Sequence, residues 1–351
     1  MLNNIPLISV VMITYQHEKY IAEAIRSILD QTFNNFELII VNDGSTDKTD
    51  EIIKGFHDNR ITYIYQENQG PSTASSNGIL ASRGEYIAFM SGDDVSYPQR
   101  LEVQYQYLKE FNVRIAFSWI DVINDDSQLL KNHPLQRYFN KISNRSRPEI
   151  LNSFFFTGND LCALTAILER QILLDCGLFK LTSIQMQDFD MWIKIVKKFD
   201  IAMIEEKLIK YRVRGNLNNL SMKPELVIRN LFEGYQVYRN IFDDVPIDLF
   251  KLSFPDQIKL PEFQDGNEYE LEKSFLFLHH PIPLFQTLGV ERLFAQLQNQ
   301  EILNISKSKY NFGLPELYNL MKDADITGMK KSIFWKLGNI WFRIKNNIFG
   351  S

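Results

Sequence analysis

The sequence predicts an α/β protein with a mostly parallel central sheet flanked by helices, followed by a mainly helical C-terminal extension. Three observations carry this prediction. Apolar, β-branched runs alternate with helix-period segments through the first third of the chain. The runs are continuous rather than alternating in polarity, as in strands buried on both faces. The balance of 45% apolar and 23% charged residues over 351 positions suits a folded chain of about two domains.

The elements follow in order. "LISVVMIT" (7–14) reads as the first strand, and Tyr20, Ile21, Ala24, Ile25, Ile28 and Leu29 then fall at helical spacing. "FELIIV" (36–41) is the second strand and ends in Asn-Asp-Gly, after which "STDKTDEIIKGF" begins a helix with Ser45 or Thr46 as its cap. "ITYIYQE" (61–67) is the third strand, 72–82 a short helix, and "EYIAFM" (85–90) the fourth strand. A helix runs from Pro98 to about Phe111, with the proline near its first turn, and "IAFSWIDVI" (115–123) is a further strand. From about 148, two short helices surround a strand-like centre; Phe189, Trp192, Ile193, Val196 and Phe199 then form a helical stripe. "IAMIEEKLIKYRVRGN" reads as two strands, the second placing Lys210, Arg212 and Arg214 on one face. Beyond 225 the pattern is mixed helix and loop, with an acidic stretch from Asp256 to Glu272 read as solvated surface.

Bulk chemistry excludes several classes. A net charge of −5 argues against a general nucleic-acid binder. The two cysteines, Cys162 and Cys176, lack metal-type spacing and read as reduced thiols of a cytoplasmic protein. The start has no basic region ahead of its apolar run, and no run reaches membrane-spanning length. Residues 329–351 carry Lys330, Lys331, Lys336, Arg343 and Lys345 without an acid. There Ile333, Leu337, Ile340, Trp341, Ile344 and Ile348 share a helical face, the pattern of a helix lying on an anionic membrane, or packed on the body or a partner.

Parallel sheets bind ligands beyond the carboxyl ends of their strands. Four consecutive strands end there in polar clusters: Thr14, Tyr15, Gln16 and Glu18; Asn42, Asp43 and Gly44; Glu67 and Asn68; Ser91, Asp93 and Asp94. One sheet rim therefore collects them. The adjacent carboxyls Asp93 and Asp94 suit Mg²⁺ or Mn²⁺ completed by substrate phosphates, the alternative being a helix cap beside a solvated acid. Asp43 is placed to accept a hydrogen bond from a base or ribose, or simply to make a turn. Asp188 is a general base or a helix cap. Arg212 and Arg214 suit a departing diphosphate, or a surface strand paired to Glu205 or Glu206. No Walker-type loop, G-x-G-x-x-G or G-x-S-x-G occurs.

These residues resemble a known family. "SVVMITYQHEKYIAEAIRSILDQTFNNFELIIVNDGSTDKT", "NQGPSTASSNGILASRGEYIAFMSGDD" and "QDFDMWIKIVKKFDIAMIEEKLIKYRVRGN" resemble, in order and over residues 7 to about 221, the family-2-type inverting glycosyltransferases of bacterial surface-polysaccharide type. The resemblance implies a GT-A (Rossmann-like) catalytic domain over 1–224, with 1–110 binding the donor and 111–224 the acceptor and base, then an extension over 225–328 and the basic tail over 329–351. It implies a nucleotide-sugar donor, a UDP-sugar first, and a glycan acceptor, with hexosyl or N-acetylhexosaminyl transfer; the basic tail would suit a lipid-linked acceptor, for a cytoplasmic protein that could sit peripherally at the inner face of the plasma membrane. Thr14, Tyr15 and Glu18 match the nucleoside pocket, Asp43 the base contact, Asn68 and Gly70 the loop beside the donor. Ser91, Gly92 and Asp93 match the D-x-D turn, with Asp93 the direct metal ligand and Asp94 beside it. Asp188 matches the catalytic base, and Arg212 and Arg214 lie near the diphosphate. Three departures stand out: Ser91 replaces the first aspartate of D-x-D, Ser75-Ser76 replaces a frequent Arg-Asn, and Gln187 replaces a glutamate before the base. The competing readings are a sugar-nucleotide nucleotidyltransferase, whose glycine-rich loop is missing from "TYQHEKY", and a degenerate, non-catalytic nucleotide-sugar binder.

Overall fold

The computed structural model describes residues 5–215, 226–264 and 266–323. They divide into two compact units: 5–146 with 160–215, and 147–159 with 226–323. The GNLNNLS segment beyond Gly215 and the amphipathic tail expected over 329–351 lie outside the described residues.

The first unit is built on one sheet. Its strands are β1 (Ile8–Thr14), β2 (Phe36–Asp43), β3 (Ile61–Gln66), β4 (Tyr86–Ser91), β5 (Val95–Ser96), β6 (Ile115–Ile123), β7 (Ile167–Glu169) and β8 (Ala202–Arg212). Their order is β3-β2-β1-β4-β7-β6-β8-β5. β3, β2, β1 and β4 run parallel, as do β6 and β8, while β7 is antiparallel to both β4 and β6, and β5 to β8. Helices α1 (Ile21–Leu29), α2 (Thr49–Lys54), α3 (Pro71–Ala81), α4 (Arg100–Glu110) and α5 (Pro134–Phe139) follow the early strands. After α6 (Arg147–Phe156), which belongs to the second unit, come α7 (Arg170–Asp175) and α8 (Gln187–Val196).

The continuous apolar runs have the physical cause expected of them. All of β2 is buried: Leu38 and Ile40 join the core with Ile21, Ala24 and Ile25 of α1, and Ile39 and Val41 pack with Ala74 of α3 on the other face. Each of these Leu, Ile and Val side chains contributes about 1.5–3 kcal/mol by leaving water, and the buried polar residues of the strand, Glu37, Asn42 and Asp43, are each hydrogen-bonded. Two local expectations change. Neither Ser45 nor Thr46 caps α2, whose N-cap is Lys48; the Ser45 hydroxyl accepts the Gln16 N–H at 3.0 Å and the Thr46 hydroxyl accepts Gln16 Nε2 at 2.8 Å, tying the β2–α2 loop to the β1–α1 loop. The segment expected to form two strands is one, β8 (Ala202–Arg212). The exposed Glu205-Glu206-Lys207 triplet is a bulge in which Ser118 pairs Ile204 but Trp119 pairs Lys207.

The described part of the second unit is helical, comprising α6, α9 (Val227–Arg239), α10 (Ile247–Ser253), α11 (Asn267–Phe277), α12 (Pro283–Gln296), α13 (Gln300–Tyr310) and α14 (Leu314–Asp323). Phe155 anchors its aromatic core, with the rings of Phe242, Phe254, Phe277 and His280 centred 5.0–5.6 Å away. The acidic stretch is not wholly solvated. Glu272 is buried, accepting the N–H groups of Lys259 and Leu260, and Glu268 pairs with Lys309. No helix among the described residues is long and apolar enough to cross a membrane.

Candidate active site

Parallel pairing sets the ends of β1 and β4 side by side, Ile13 opposite Ser91. The turn after β4 then packs directly on the turn after β1. A Cβ at Gly92 would lie 2.5 Å from Thr14 Oγ1 and 2.9 Å from His17 Nδ1, so glycine is required for this approach. Asp93, 6% exposed, is held in this contact. Its Oδ1 accepts the Ser91 hydroxyl, and its Oδ2 lies 3.2 Å from Arg214 Nε and 3.6 Å from His17 Nε2. Burial acts to raise the Asp93 carboxyl, but His17, Arg214 and the Ser91 hydroxyl outweigh it and hold the group below its ordinary value. Burial keeps the His17 imidazole below its usual range. Ser91, in the place of an acid, thus donates to the retained carboxylate.

Asp94 faces the other way. Its Oδ1 accepts the backbone N–H of Arg212 at 2.6 Å, and burial followed by repulsion from Asp93 pushes its carboxyl well above the ordinary value. The two neighbours are thus driven in opposite directions, the charge on Asp93 opposing ionisation of Asp94. Arg212, expected to front a diphosphate, is 1% exposed and points into the protein. Its guanidinium donates to the carbonyls of Asp93 (2.7 Å), Asn124 (2.7 Å) and Asp125 (3.1 Å), to Ser127 Oγ and to Glu23, and lies over the Tyr20 ring. Asp125 accepts the Tyr20 hydroxyl at 2.6 Å and the Gly215 N–H at 2.9 Å. This network fixes the end of β8 against the Asp93 turn and so aims Arg214. Beneath it Arg100, fully buried, donates to the carbonyls of Phe89 and Leu164. Burial lowers it to about 9, with Asp94 and Cys162 opposing.

Asp43, at the end of β2, is 5% exposed and holds a loop. Its carboxylate accepts Gln66 Nε2 (2.7 Å) and the N–H groups of Gln69 (2.9 Å) and Gly70 (2.9 Å), fixing residues 66–70 and the start of α3. Gly44, with φ +76°, lets that loop pass; a Cβ there would lie 2.6 Å from Asn68 N. Asn68 is exposed and Gly70 adopts φ +85°. On the β1 side Tyr15 is 45% exposed, while Glu18 accepts the Lys48 N–H and Gln16 Oε1 accepts those of Thr46 and Asp47.

Asp188 sits in the first turn of α8, whose N-cap is Met186, so it is not the cap. Its Oδ1 accepts the Phe189 N–H at 2.9 Å. The helix is anchored by Trp192, whose ring meets Phe117 edge-on at 4.9 Å. Asp190 is buried and paired with Lys180 and Lys194, leaving Asp188 as the half-buried acid of the pair. The Ser72 hydroxyl at the start of α3 donates to the Ser183 carbonyl in the loop before α8. Burial pushes the Cys162 thiol up to about 12, with the charges of Asp94 and Asp188 adding to that shift. The rim thus joins Thr14, His17, Ser91, Gly92, Asp93 and Arg214 directly; the loop after β2 is tied to it through the 16–45 contact, and the loop before α8 is tied to the start of α3 through the 72–183 contact. Asp94 and Arg212 lie behind it. Sequence reasoning missed His17, Glu23, Asp125 and Arg100. Only His17 carried a signal, lying between named residues of the first polar cluster.

Among the described residues no group of three His, Cys, Asp or Glu side chains could hold a metal ion. Asp93 can still serve a hard cation, because Mg²⁺ and Mn²⁺ beside phosphates take one or two protein carboxylates and complete their shell from substrate and water. Asp93, held below its ordinary value at the strand-end rim, supplies the charged oxygen donor such a substrate-completed site needs, with Arg214 and His17 beside its Oδ2; Asp94 has one oxygen engaged by the Arg212 N–H.

Comparison with known proteins agrees with this architecture. The chain matches the family described as Glycosyl transferase family 2 over residues 9–175. It is 36% identical over 225 residues to an uncharacterized glycosyltransferase of Methanocaldococcus jannaschii, covering 62% of this chain and 74% of that protein. It is 28% identical to the putative teichuronic acid biosynthesis glycosyltransferase TuaG of Bacillus subtilis, covering 60% and 81%. Among solved structures, S. aureus TarS 1–349 in complex with UDP-GlcNAc superposes with a TM-score of 0.55 at 19% identity, covering 91% of this chain and 88% of that one. The mannosyltransferase PcManGT from Pyrobaculum calidifontis, in complex with GDP-Man and Mn²⁺, gives a TM-score of 0.55 at 16% identity, covering 97% and 87%. The chain has the GT-A fold and belongs to glycosyltransferase family 2.

Proposed function

We propose that this protein transfers a sugar from a nucleotide-sugar donor, a UDP-sugar first, to an acceptor hydroxyl with inversion, in the assembly of a cell-surface polysaccharide or lipid-linked oligosaccharide. The observation that supports the reading is the shared rim on which Asp93, Arg214 and the Asp43 loop stand; Asp188, half-buried in the first turn of α8, is the carboxylate assigned as base. Donors seen with the structural neighbours and the name of the B. subtilis relative support the substrate class.

The donor nucleoside lies along Thr14, Tyr15 and Glu18, against the Asn68–Gly70 loop that Asp43 holds. The diphosphate lies over Ser91, Gly92 and Asp93. Asp188 takes the proton of the acceptor hydroxyl. The acceptor oxygen bonds to the anomeric carbon as the bond from that carbon to the diphosphate oxygen breaks on the opposite face, so configuration inverts and the electron pair leaves with the nucleotide. Arg214 stabilises the developing charge, and Arg212 positions it. Asp93 would hold a divalent cation, whose chemistry when bound is to neutralise the departing diphosphate. The division into a 1–224 catalytic domain and a 225–328 extension belongs to the same reading. So does a basic 329–351 tail resting on the membrane, which liposome flotation with and without that tail tests.

The direct experiment is a thermal-shift screen of UDP- and GDP-sugars with and without Mn²⁺, followed by transfer assays. A donor present at about 100 times its Kd stabilises by about 2.7 kcal/mol. Asp188→Asn is expected to bind donor as the parent does and to lose about 10²–10⁴-fold in turnover. Full turnover removes Asp188 from the base role; no stabilisation by any sugar nucleotide refutes the donor class.

A further inference from the structure

Outside the strand-end rim, a cavity of about 390 Å³ is lined by Trp119, Asn132, Gln136, Arg137, Asn140, Lys141 and Lys207. Its construction starts from the β6–β8 bulge. The register slips by two residues before Trp119 and by one more after it, so that Trp119 stands directly opposite Lys207. Bulges re-aim side chains out of the regular pleat. Two hydrogen bonds then lock the result: Asn140 accepts the Ile120 N–H at 2.9 Å and donates to the Ile120 carbonyl at 2.8 Å, clamping the strand from the loop after α5. Trp119 Nε1 donates to the Ile142 carbonyl at 2.8 Å, fixing one edge of the indole while its ring walls the cavity.

The lining is one-signed. Three of the seven residues are cations and none is a carboxylate, on a chain whose net charge is −5. Lys207 is paired with Asp121 at 2.8 Å, and Asp121 also accepts from Gln136 and the Tyr97 hydroxyl. Arg137 and Lys141 are exposed and have no carboxylate partner among the described residues. An indole wall, amides that donate and accept, and two cations without a carboxylate partner, Lys141 lying over the Tyr138 ring at 4.9 Å, match a sugar ring bearing an anionic group: the ring's C–H face on the indole, hydroxyls to Asn and Gln, the anion to Arg and Lys.

The position fits a remote part of an acceptor. β6 and β8 lead from this cavity to the rim, since Asn124 and Asp125 just beyond β6 receive the Arg212 guanidinium at the end of β8. Five residues of strand separate Lys207 from Arg212, about 16 Å at about 3.3 Å per residue, a span of several sugar units. We propose that this cavity is a distal acceptor subsite for an anionic glycan, one carrying phosphodiester or uronate groups. The assignment rests on the transferase reading above for the word acceptor, and on the cavity's own chemistry for the ligand.

The test is calorimetric titration of the full chain with three hexamers: oligogalacturonate, oligo(glycerol phosphate) and neutral maltohexaose. One of the anionic hexamers is expected to bind, with affinity falling as salt is raised. Arg137→Glu/Lys141→Glu is expected to weaken it by about tenfold or more, with an unchanged melting temperature and unchanged stabilisation by sugar nucleotides. The tryptophan fluorescence change on binding is expected to vanish in Trp119→Phe. Whichever anionic arm binds identifies the phosphate or the uronate as the recognised group. Failure of both anionic hexamers to bind, equal binding of maltohexaose, or unaltered affinity in the double variant overturns the subsite. Charge-dependent binding by a chain that no sugar nucleotide stabilises upholds the cavity and refutes the transferase reading instead.

Discussion

Asp93 and Asp94 are neighbours in the chain and are driven in opposite directions by what surrounds them. Asp93 is lowered by His17, Arg214 and Ser91 against its burial, while Asp94 is raised by burial and by Asp93 itself. The sign gives a test. Below the ordinary aspartate value of about 3.9, Asp94 is protonated folded and unfolded alike. As pH rises, the unfolded chain releases that proton while the folded chain retains it, so stability contributed by this group is lost as pH climbs through the raised folded value. Asp94→Asn keeps an oxygen for the Arg212 N–H and removes the titration. It should melt higher than the parent at pH 7, with the difference closing toward about pH 4; a variant that melts lower at pH 7 would show that Asp94 is ionised in the fold. The adjacent acids could be read from the sequence as a cluster needing compensation. Their opposite roles could not, because they depend on the β8 backbone 118 residues away reaching Asp94.

At the scale of elements, the parallel strands were legible because burial on both faces leaves continuous apolar runs, as in β2. The β8 bulge was not, since three consecutive polar residues carry the same signal whether they form a turn or bulge out of one strand. Arg212 is the matching case at the site: alternation put it on the face of Arg214, but the buried carbonyls of Asp93, Asn124 and Asp125 claim its guanidinium. Arg212→Met leaves those acceptors unpaired and is expected to cost about 3 kcal/mol in a denaturant titration, with Arg212→Lys recovering only part because one ammonium cannot serve the same fork. Gly92→Ala drives a methyl to 2.7 Å from Thr14 Cβ, a buried β-branched side chain at the end of β1 with little room to yield. An expected loss of about 1–3 kcal/mol should come with weakened donor binding, since the same turn carries Asp93. Unchanged stability would mean that the β1 and β4 turns are not packed as described.

For the whole molecule, fold class and rim followed from strand order, because a parallel sheet sends every strand's carboxyl end to one margin. The second unit was harder to read. Its core is an aromatic cluster around Phe155 and His280 whose members come from distant helices, and buried acids such as Glu272 look like surface in sequence. The central claim is that Asp93, and not Asp94, links the protein to a nucleotide diphosphate through a divalent ion. The measurement that tests it most directly is calorimetric titration of UDP, with and without Mn²⁺, into the parent chain, Asp93→Asn and Asp94→Asn. The account predicts that Mn²⁺ tightens UDP binding by the parent and by Asp94→Asn, and that Asp93→Asn loses that gain by about tenfold or more. Equal Mn²⁺-dependent tightening in Asp93→Asn would contradict it.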